Sequence, residues 1–406
     1  MKRRVFSWLI MTIMILSLFF NGCSKSNINN ANNNNSSNTN TADQKKDRVV
    51  KVGWIGSLSG DQAVWGQCES NTVKMMFDDL NANGGLLGAK FEVVAYDTRG
   101  DAQEAVNAVK RLTSQDKVIA IIGPNASGQA IPISSVLEEM KVPDIATVAT
   151  NPKVTVVDGK VKPYNFRVCF IDPYQGAVAA GFAVDVLKAK TAAILYDVAD
   201  DYSQGLSQFF IETFEKKGGK IVAKEGFKTG DTDFRAQLTK IKDTNPEIIF
   251  MPYFFKEVAL SSKQARELGI TATLMGGDGW PSEQLLSMAR DAVEGSYVVN
   301  HLDFDDPDVQ GFKTKYKEKY GKDVELNGYL AHDASLMLIE AIKKANSLDS
   351  VAIKDALEKV DFKGITGRIA IGKDTHNPEN KEAAIIKLDK STKTGYKFVQ
   401  KYSPRN

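Results

Sequence analysis

The chain has 406 residues, of which 43% are hydrophobic and 25% charged, which indicates a globular protein long enough for two α/β lobes. Its net charge of +2 falls to about −1 without the three basic residues that precede Cys23. Lysines and acidic residues are mixed throughout, so neither the charge nor its pattern favours a nucleic-acid-binding protein.

The first 22 residues have the organisation of a signal peptide. Lys2, Arg3 and Arg4 precede an apolar run at 5–20, which is shorter than the roughly 20 residues of a membrane-spanning helix. We therefore predict export across the cytoplasmic membrane. No later apolar run approaches that length, so we expect the remainder to be soluble.

Cys23 follows Gly22 directly after this run, and a small residue before the first cysteine resembles a bacterial lipobox. In a lipobox, cleavage makes the cysteine a diacylglycerol-bearing N-terminus; because Phe20 and Asn21 depart from the pattern, cleavage to a free protein is the alternative. Residues 24–40 include nine asparagines, which predicts a solvated tether over 23–47 and a lipid anchor on the extracytoplasmic face.

The ordered part begins with alternating strands and helices, the pattern of parallel α/β units. Short β-branched runs predict strands at 49–55, 91–96, 118–123 and 142–146. Between the first two, Val73, Met76, Phe77 and Leu80 are spaced i, i+3, i+4 and i+7, which predicts an amphipathic helix. A second such helix is predicted over 102–109.

The same alternation starts again after residue 170. Strands are predicted at 191–196, 220–227, 247–253 and 272–277, so two sets of four strands predict two similar lobes. A further strand is predicted at 296–300, with helices around 308–320 and 327–345 and a β-rich end over 365–402.

Loops at the carboxyl ends of parallel strands are the usual ligand-binding positions in such sheets. Six of these loops combine small, hydroxyl-bearing and aromatic residues: 56–66, 123–128, 147–152, 200–205, 252–257 and 277–281. Any one of them can be an ordinary turn, because Gly, Ser and Asn favour turns. Their joint occurrence predicts a binding site.

These loops resemble those of branched-chain amino-acid binding proteins of ABC transporters. The resemblance rests on the order of GSLSG, GPNASG, ATNP, DDYSQG and GGDG, and it extends from about residue 49 to 402. It implies the type I periplasmic binding fold: two similar lobes, each a parallel-sheet α/β sandwich, joined by a multi-segment hinge. The implied first lobe is 48–171 plus 302–373, and the second is 172–301 plus 374–406.

The family holds the ligand's α-carboxylate with hydroxyl and backbone N–H groups of the first lobe. The matching positions are Ser127, the Val148 backbone and Thr150. Hydroxyl groups donate to a carboxylate without adding a charge to the empty site. For Ser127, a helix N-cap is the alternative interpretation.

The family holds the α-ammonium with an acidic residue and a tyrosine of the second lobe, which match Asp278 and Tyr202. Many members have Glu where this chain has Asp278, which is one methylene shorter. An ordinary Asp-Gly turn is the alternative for this position.

Four aromatic residues should shape the ligand's side-chain pocket. Trp65 matches an aromatic position of the family, Phe254 or Phe255 falls where members often have tyrosine, and Trp280 follows the acidic turn. Core packing is the alternative for either phenylalanine. Because Trp280 is bulkier than we would expect there, the sequence does not fix leucine as the ligand.

The sequence contains no motif that predicts an enzyme, a nucleotide site or a cofactor. Its histidines, His301, His332 and His376, are far apart, and the acidic run at 303–308 predicts a solvated helix start rather than a metal site. Cys68 and Cys169 are either a disulfide or two buried thiols.

We therefore predict a monomeric solute-binding protein that closes like a clamshell around an amino acid. It would deliver this ligand to the membrane permease of an ABC importer. The alternatives are a binding protein for a short amide or urea, or an extracellular sensor that presents its ligand to a receptor.

Overall fold

A computed structural model describes residues 48–403. The predicted signal peptide at 1–22, the lipidation site Cys23 and the tether at 23–47 lie outside the described residues, as do 404–406. Over 48–403, no helix combines the length and the hydrophobicity that crossing a membrane requires.

A five-stranded parallel sheet forms the first lobe, with the strand order β2-β1-β3-β4-β7. Its region contains β1 (Arg48–Gly56), β2 (Ala89–Asp97), β3 (Ile121–Ile122), β4 (Asp144–Ala146), the hairpin of β5 (Val156–Val157) and β6 (Lys160–Val161), and β7 (Asn165–Arg167). The four predicted strands all lie in this sheet, and β7 adds a fifth that was not predicted.

A seven-stranded mixed sheet forms the second lobe, in the order β16-β15-β12-β11-β10-β8-β9. The strands from here on are β8 (Thr191–Asp197), β9 (Lys220–Phe227), β10 (Ile248–Phe250), β11 (Thr273–Gly276), β12 (Tyr297–Asn300), β13 (Asp361–Gly364), β14 (Gly367–Ala370), β15 (Ala383–Leu388) and β16 (Tyr396–Tyr402). The pairs β12–β15 and β15–β16 are antiparallel and the other pairs of this sheet are parallel, whereas β13 and β14 form a separate hairpin.

Twelve α-helices alternate with these strands over the described residues. They are α1 (Ala63–Ala82), α2 (Ala102–Arg111), α3 (Ser127–Ala130), α4 (Ser134–Met140), α5 (Asp172–Asp185), α6 (Asp201–Lys216), α7 (Arg235–Asp243), α8 (Phe255–Glu267), α9 (Glu283–Ala289), α10 (Pro307–Tyr320), α11 (Leu326–Ala345) and α12 (Ser350–Leu357).

Helices cover both faces of each sheet, as parallel strands with two apolar faces require. In the first lobe, α1 and α11 bury Val73 and Leu338 against one face, while α2 and α4 bury Val109 and Leu137 against the other. In the second lobe, α5 and α6 cover one face and α7, α8 and α9 cover the opposite face.

The chain passes between the lobes three times, at 168–171, 301–306 and 371–382. Helices α10, α11 and α12 follow the second sheet in sequence but contribute to the core of the first lobe. The final strands β15 and β16 then return to the second sheet.

Cys68 and Cys169 are both buried and unpaired. Of the two alternatives for these residues, the structure therefore has the two thiols. Burial raises the pKa of each to about 12, so both remain protonated at neutral pH.

Candidate functional site

A cavity lies between the lobes, among loops that follow the carboxyl ends of strands in both sheets. About 310 Å³ of space free of protein atoms lies among its walls, and this space includes a part that is open to solvent. Its walls are formed by Gln62, Trp65, Asn125, Ala126, Ser127, Val148, Tyr202, Phe254, Asp278, Gly279 and Asn327. Six of the nine residues predicted to bind ligand are among them.

Ser127 provides a hydroxyl on the first-lobe wall. Its Oγ accepts a hydrogen bond from the Asn151 N–H at 3.1 Å, and no acceptor for its own hydrogen is present among the described residues. The hydroxyl can therefore donate to a ligand. Ala126, and not Ser127, is the N-cap of α3, so the capping alternative is wrong.

The turn that precedes Ser127 needs Gly123, with φ of +92°, because a Cβ there would lie 2.3 Å from a backbone oxygen.

Val148 reaches the cavity from the loop after β4, whereas Thr150 does not. Thr150 is fully buried behind the wall, and its carbonyl oxygen accepts from the Asp172 N–H at 2.9 Å.

Two side-chain amides of the cavity wall add polar atoms that were not predicted. Gln62 Oε1 and Asn125 Oδ1 are buried without a partner over residues 48–403, so each can accept a hydrogen bond from a ligand or water.

Asp278 provides the carboxylate on the second-lobe wall, in the turn after β11. It is 3% exposed. Gln175 Nε2 donates to its Oδ1 at 2.9 Å, and His301 Nε2 lies 2.8 Å from its Oδ2. Neither a lysine nor an arginine of the described chain forms an ion pair with it. The carboxylate thus lines the cavity without a permanent counter-charge.

Tyr202 lies beside Asp278, in the first turn of α6. Its hydroxyl oxygen accepts from the Gly279 N–H at 3.3 Å. Burial raises the pKa of Tyr202 well above its ordinary value, so the phenol is neutral and retains a proton to donate.

Aromatic rings form the apolar part of the wall. Trp65 extends from α1 across the cleft, where its ring packs edge-on against Phe254 and Phe255 at centroid distances of 5.8 and 4.8 Å. Phe254 also stacks on Tyr202 at 5.4 Å. Trp65 and Phe254 line the cavity.

Two of the predicted aromatic residues lie behind the wall instead. Phe255 is 1% exposed and Trp280 is completely buried. The indole Nε1 of Trp280 donates to the Met251 carbonyl at 2.8 Å, which satisfies its polar atom within the second lobe. Both side chains therefore pack behind the residues that line the cavity.

Sequence reasoning missed several residues at the site. Gln62 and Asn125 lie within loops that it had selected, so the loop positions were a usable signal. Gln175 and Asn327 lie on helices without any motif, and His301 had no sequence neighbour that pointed to a site. Asn327 Nδ2 donates at 3.0 Å to buried Glu69, which links the cavity to the first-lobe core.

Polar contacts join the two lobes around the cavity. Trp65 Nε1 donates to the Pro281 carbonyl at 3.3 Å, and Asn151 Nδ2 donates to the Asp201 carbonyl at 2.7 Å. Lys256 forms a 2.8 Å ion pair with Asp61. These contacts hold the lobes together across the cleft.

Comparison with known proteins identifies relatives along most of the chain. An amino acid binding protein of Pseudomonas aeruginosa is 35% identical over 242 residues, which is 59% of this chain and 63% of that protein. The chain thus spans less than two thirds of this relative's length.

Two solved structures are similar over nearly their whole length. The leucine binding protein LivK from Thermotoga maritima is 34% identical with a TM-score of 0.80, covering 87% of this chain and 99% of that one. LivJ from Streptococcus pneumoniae, a branched-chain amino acid transporter substrate binding protein in complex with isoleucine, is 30% identical with a TM-score of 0.79, covering 87% and 100%.

The model of the periplasmic binding protein family matches residues 49–393, which include every wall of the cavity and, apart from Arg48 and the last strand β16, both sheets. The resemblance predicted from the strand-end loops is confirmed: the chain belongs to the periplasmic binding protein family and has its type I fold.

Proposed function

We propose that this protein binds a small amino acid between its lobes and delivers it to the membrane permease of an ABC importer. One observation carries the proposal: a cavity with an uncharged hydroxyl on one wall and a single carboxylate, Asp278, on the other. Relatives named for binding leucine, or solved with isoleucine, support the same ligand class.

The charges of the two walls suit a zwitterion. A buried carboxylate without a counter-ion is costly, and a ligand ammonium would supply the missing positive charge. A ligand carboxylate would receive hydrogen bonds from the Ser127 hydroxyl and the backbone near Val148, without an added cation. Trp65 and Phe254 would contact an apolar side chain.

We extend the proposal to the arrangement of the whole protein. The predicted lobes, 48–171 plus 302–373 and 172–301 plus 374–406, are supported by the three connections between the sheets. Thr150, Phe255 and Trp280 would then shape the site from behind its wall. We further propose that Cys23 carries a lipid anchor, that the protein is monomeric and that it has no catalytic activity. Mass spectrometry of the membrane-bound protein would test the anchor, and light scattering would test the monomeric state.

Calorimetric titration of the purified protein with L-leucine, L-isoleucine, L-valine and L-alanine tests the ligand class. We expect at least one to bind. Asp278→Asn should then weaken its binding at least roughly 30-fold, because an unpaired partner in a buried charge pair costs about 2 kcal/mol or more. Ser127→Ala should weaken it roughly tenfold or more, since a hydrogen bond to a charged group contributes about 1.5–3 kcal/mol.

Asp243→Asn and Ser134→Ala are matched controls, because both residues lie on helices away from the cavity walls. Each should bind like the unmodified protein. A different outcome would identify a neutral amide as the ligand in place of an amino acid: none of the four amino acids binds, acetamide or urea does bind, and Asp278→Asn leaves that binding intact.

A further inference from the structure

Two buried side chains hold the Asp278 carboxylate from behind. Gln175, on α5, occupies Oδ1, and His301, at the end of β12, occupies Oδ2, at 2.9 and 2.8 Å. The side chains of His301 and Asp278 are 0% and 2% exposed, so water does not substitute for either contact. Each carboxylate oxygen therefore has a fixed donor from behind, the Tyr202 hydroxyl adds a further hydrogen bond to the carboxylate, and lone pairs remain for the cavity.

The surroundings of His301 select one form of its ring. Its Nδ1 is buried and has no hydrogen-bond partner among residues 48–403. A protonated ring would place an N–H there with no acceptor, whereas a neutral ring with its hydrogen on Nε2 leaves only an unfilled lone pair. Stacking on Phe170, with centroids 3.7 Å apart, fixes the ring plane.

The charged groups around His301 are consistent with a neutral ring. Burial is the largest influence and lowers the pKa of His301, and the positive charge of Lys381 lowers it further. Asp278 acts in the opposite direction. Lys381 is itself buried and donates to Thr366 Oγ1 at 2.7 Å, so it does not reach the carboxylate.

We propose that His301 is a positioning residue for the ligand. Its neutral Nε2–H, together with Gln175, orients the Asp278 carboxylate without neutralising it, so the negative charge remains available to a ligand ammonium. This inference rests on the proposed function. It adds a specificity mechanism, because a lysine or arginine at this place would neutralise the carboxylate and remove the preference for a cationic group.

Two substitutions separate the hydrogen bond from the shape of the ring. His301→Gln can place a donor nitrogen near the position of Nε2, whereas His301→Phe keeps a flat ring that can stack on Phe170 but has no donor. We expect His301→Phe to weaken binding of the L-leucine, L-isoleucine, L-valine and L-alanine panel roughly tenfold or more, and His301→Gln to stay within about threefold of the unmodified protein.

His332→Gln is the matched control. His332 also pairs with an aspartate, with its Nδ1 2.9 Å from Asp333 Oδ1, but it lies outside the cavity walls. Binding should be unchanged in this variant. Equal losses in His301→Gln and His301→Phe, or no loss in His301→Phe, would overturn the role of the donor.

A second measurement reports directly on the His301 ring of the unmodified protein. The chain has only three histidines, so nitrogen NMR of protein labelled with 15N-histidine can resolve each ring, with His301→Gln assigning the signal. We expect a neutral His301 ring with its hydrogen on Nε2 at pH 7. A charged ring, or a hydrogen on Nδ1, would overturn the inference.

The results distinguish this inference from the function on which it rests. If no amino acid of the panel binds, the proposed function fails. If binding is lost in Asp278→Asn but kept in His301→Phe, the proposed function stands and the role of His301 alone is refuted.

Discussion

Glu69 is a buried carboxyl group directly behind the first-lobe wall. Thr147 Oγ1 and Asn327 Nδ2 each lie 3.0 Å from its Oε1, so Glu69 orients an amide that lines the cavity. Burial raises its pKa to about 8 and outweighs the hydrogen bonds, which lower it. The group is therefore mainly protonated at pH 7, and its neutral form avoids an unpaired charge in the core.

This pKa has a consequence for stability. The folded protein retains the Glu69 proton up to about pH 8, whereas the unfolded chain loses it near the ordinary pKa of 4.5. Unfolding thus releases a proton in this window, and the contribution of Glu69 to stability falls as the pH rises from 4.5 to 8. Glu69→Gln, which cannot ionise, should lack this loss.

Urea unfolding at pH 5 and pH 8 measures the effect. Relative to Glu69→Gln, the unmodified protein should lose on the order of 1 kcal/mol or more between the two pH values. Glu138→Gln, a change at an exposed position on α4, should retain the pH dependence of the unmodified protein. Parallel pH profiles for the unmodified protein and Glu69→Gln would show that Glu69 is ionised in the folded state.

At the scale of elements, helix α2 illustrates how local sequence fixes a helix start. The spacing of small and apolar residues predicted a helix over 102–109, and the structure has Ala102–Arg111. Asp101 is its N-cap, and the carboxylate accepts from the Glu104 N–H at 2.8 Å. The cap satisfies one of the N–H groups that a helix start leaves unpaired.

Removing this cap should destabilise the protein without affecting the site. We expect Asp101→Ala to lower the free energy of unfolding by about 1 kcal/mol, measured by urea denaturation, with unchanged ligand affinity. Gln103→Ala, at an exposed position of the same helix, should cost much less. If Gln103→Ala lowers the free energy of unfolding as much as Asp101→Ala does, the loss of stability comes from changing the helix in general and not from removing its cap.

The acidic run at 303–308 is a second local feature that sequence interpreted correctly. Asp306 is the N-cap of α10, where its Oδ1 accepts from the Asp308 N–H at 2.9 Å. The acids therefore mark a helix start, as their spacing predicted.

At the scale of the whole molecule, the lobes are joined by weak contacts as well as by the chain. The pair of Lys256 and Asp61 is 37% and 60% exposed in its side chains, so by itself it contributes at most about 1 kcal/mol. Trp65 and Asn151 add one hydrogen bond each across the cleft. We therefore expect the lobes to separate when no ligand bridges the walls, as neighbouring domains commonly do.

Small-angle X-ray scattering can detect that movement. Addition of a bound amino acid should reduce the radius of gyration, because a ligand that contacts both walls stabilises the arrangement in which they face each other. Asp278→Asn at the same ligand concentration should show no change. An identical radius with and without ligand in the unmodified protein would contradict closure.

The sequence by itself determined the alternation of strands and helices and the loops at which a ligand would bind. Those features depend on local periodicity and turn chemistry, and the order of the loops was specific enough to identify the family before the fold was known. The resemblance to the family also selected Ser127, Tyr202 and Asp278, because these residues match its ligand-binding positions in the strand-end loops.

Only the tertiary structure decided which side chains reach the cavity. Phe254 and Phe255 are adjacent in sequence, yet only Phe254 lines it, because the start of α8 turns its neighbour into the core. His301 reaches Asp278 because β11 and β12 pair side by side, although 23 residues separate the two side chains in sequence. Such contacts depend on strand pairing and packing between distant segments, which a local pattern does not encode.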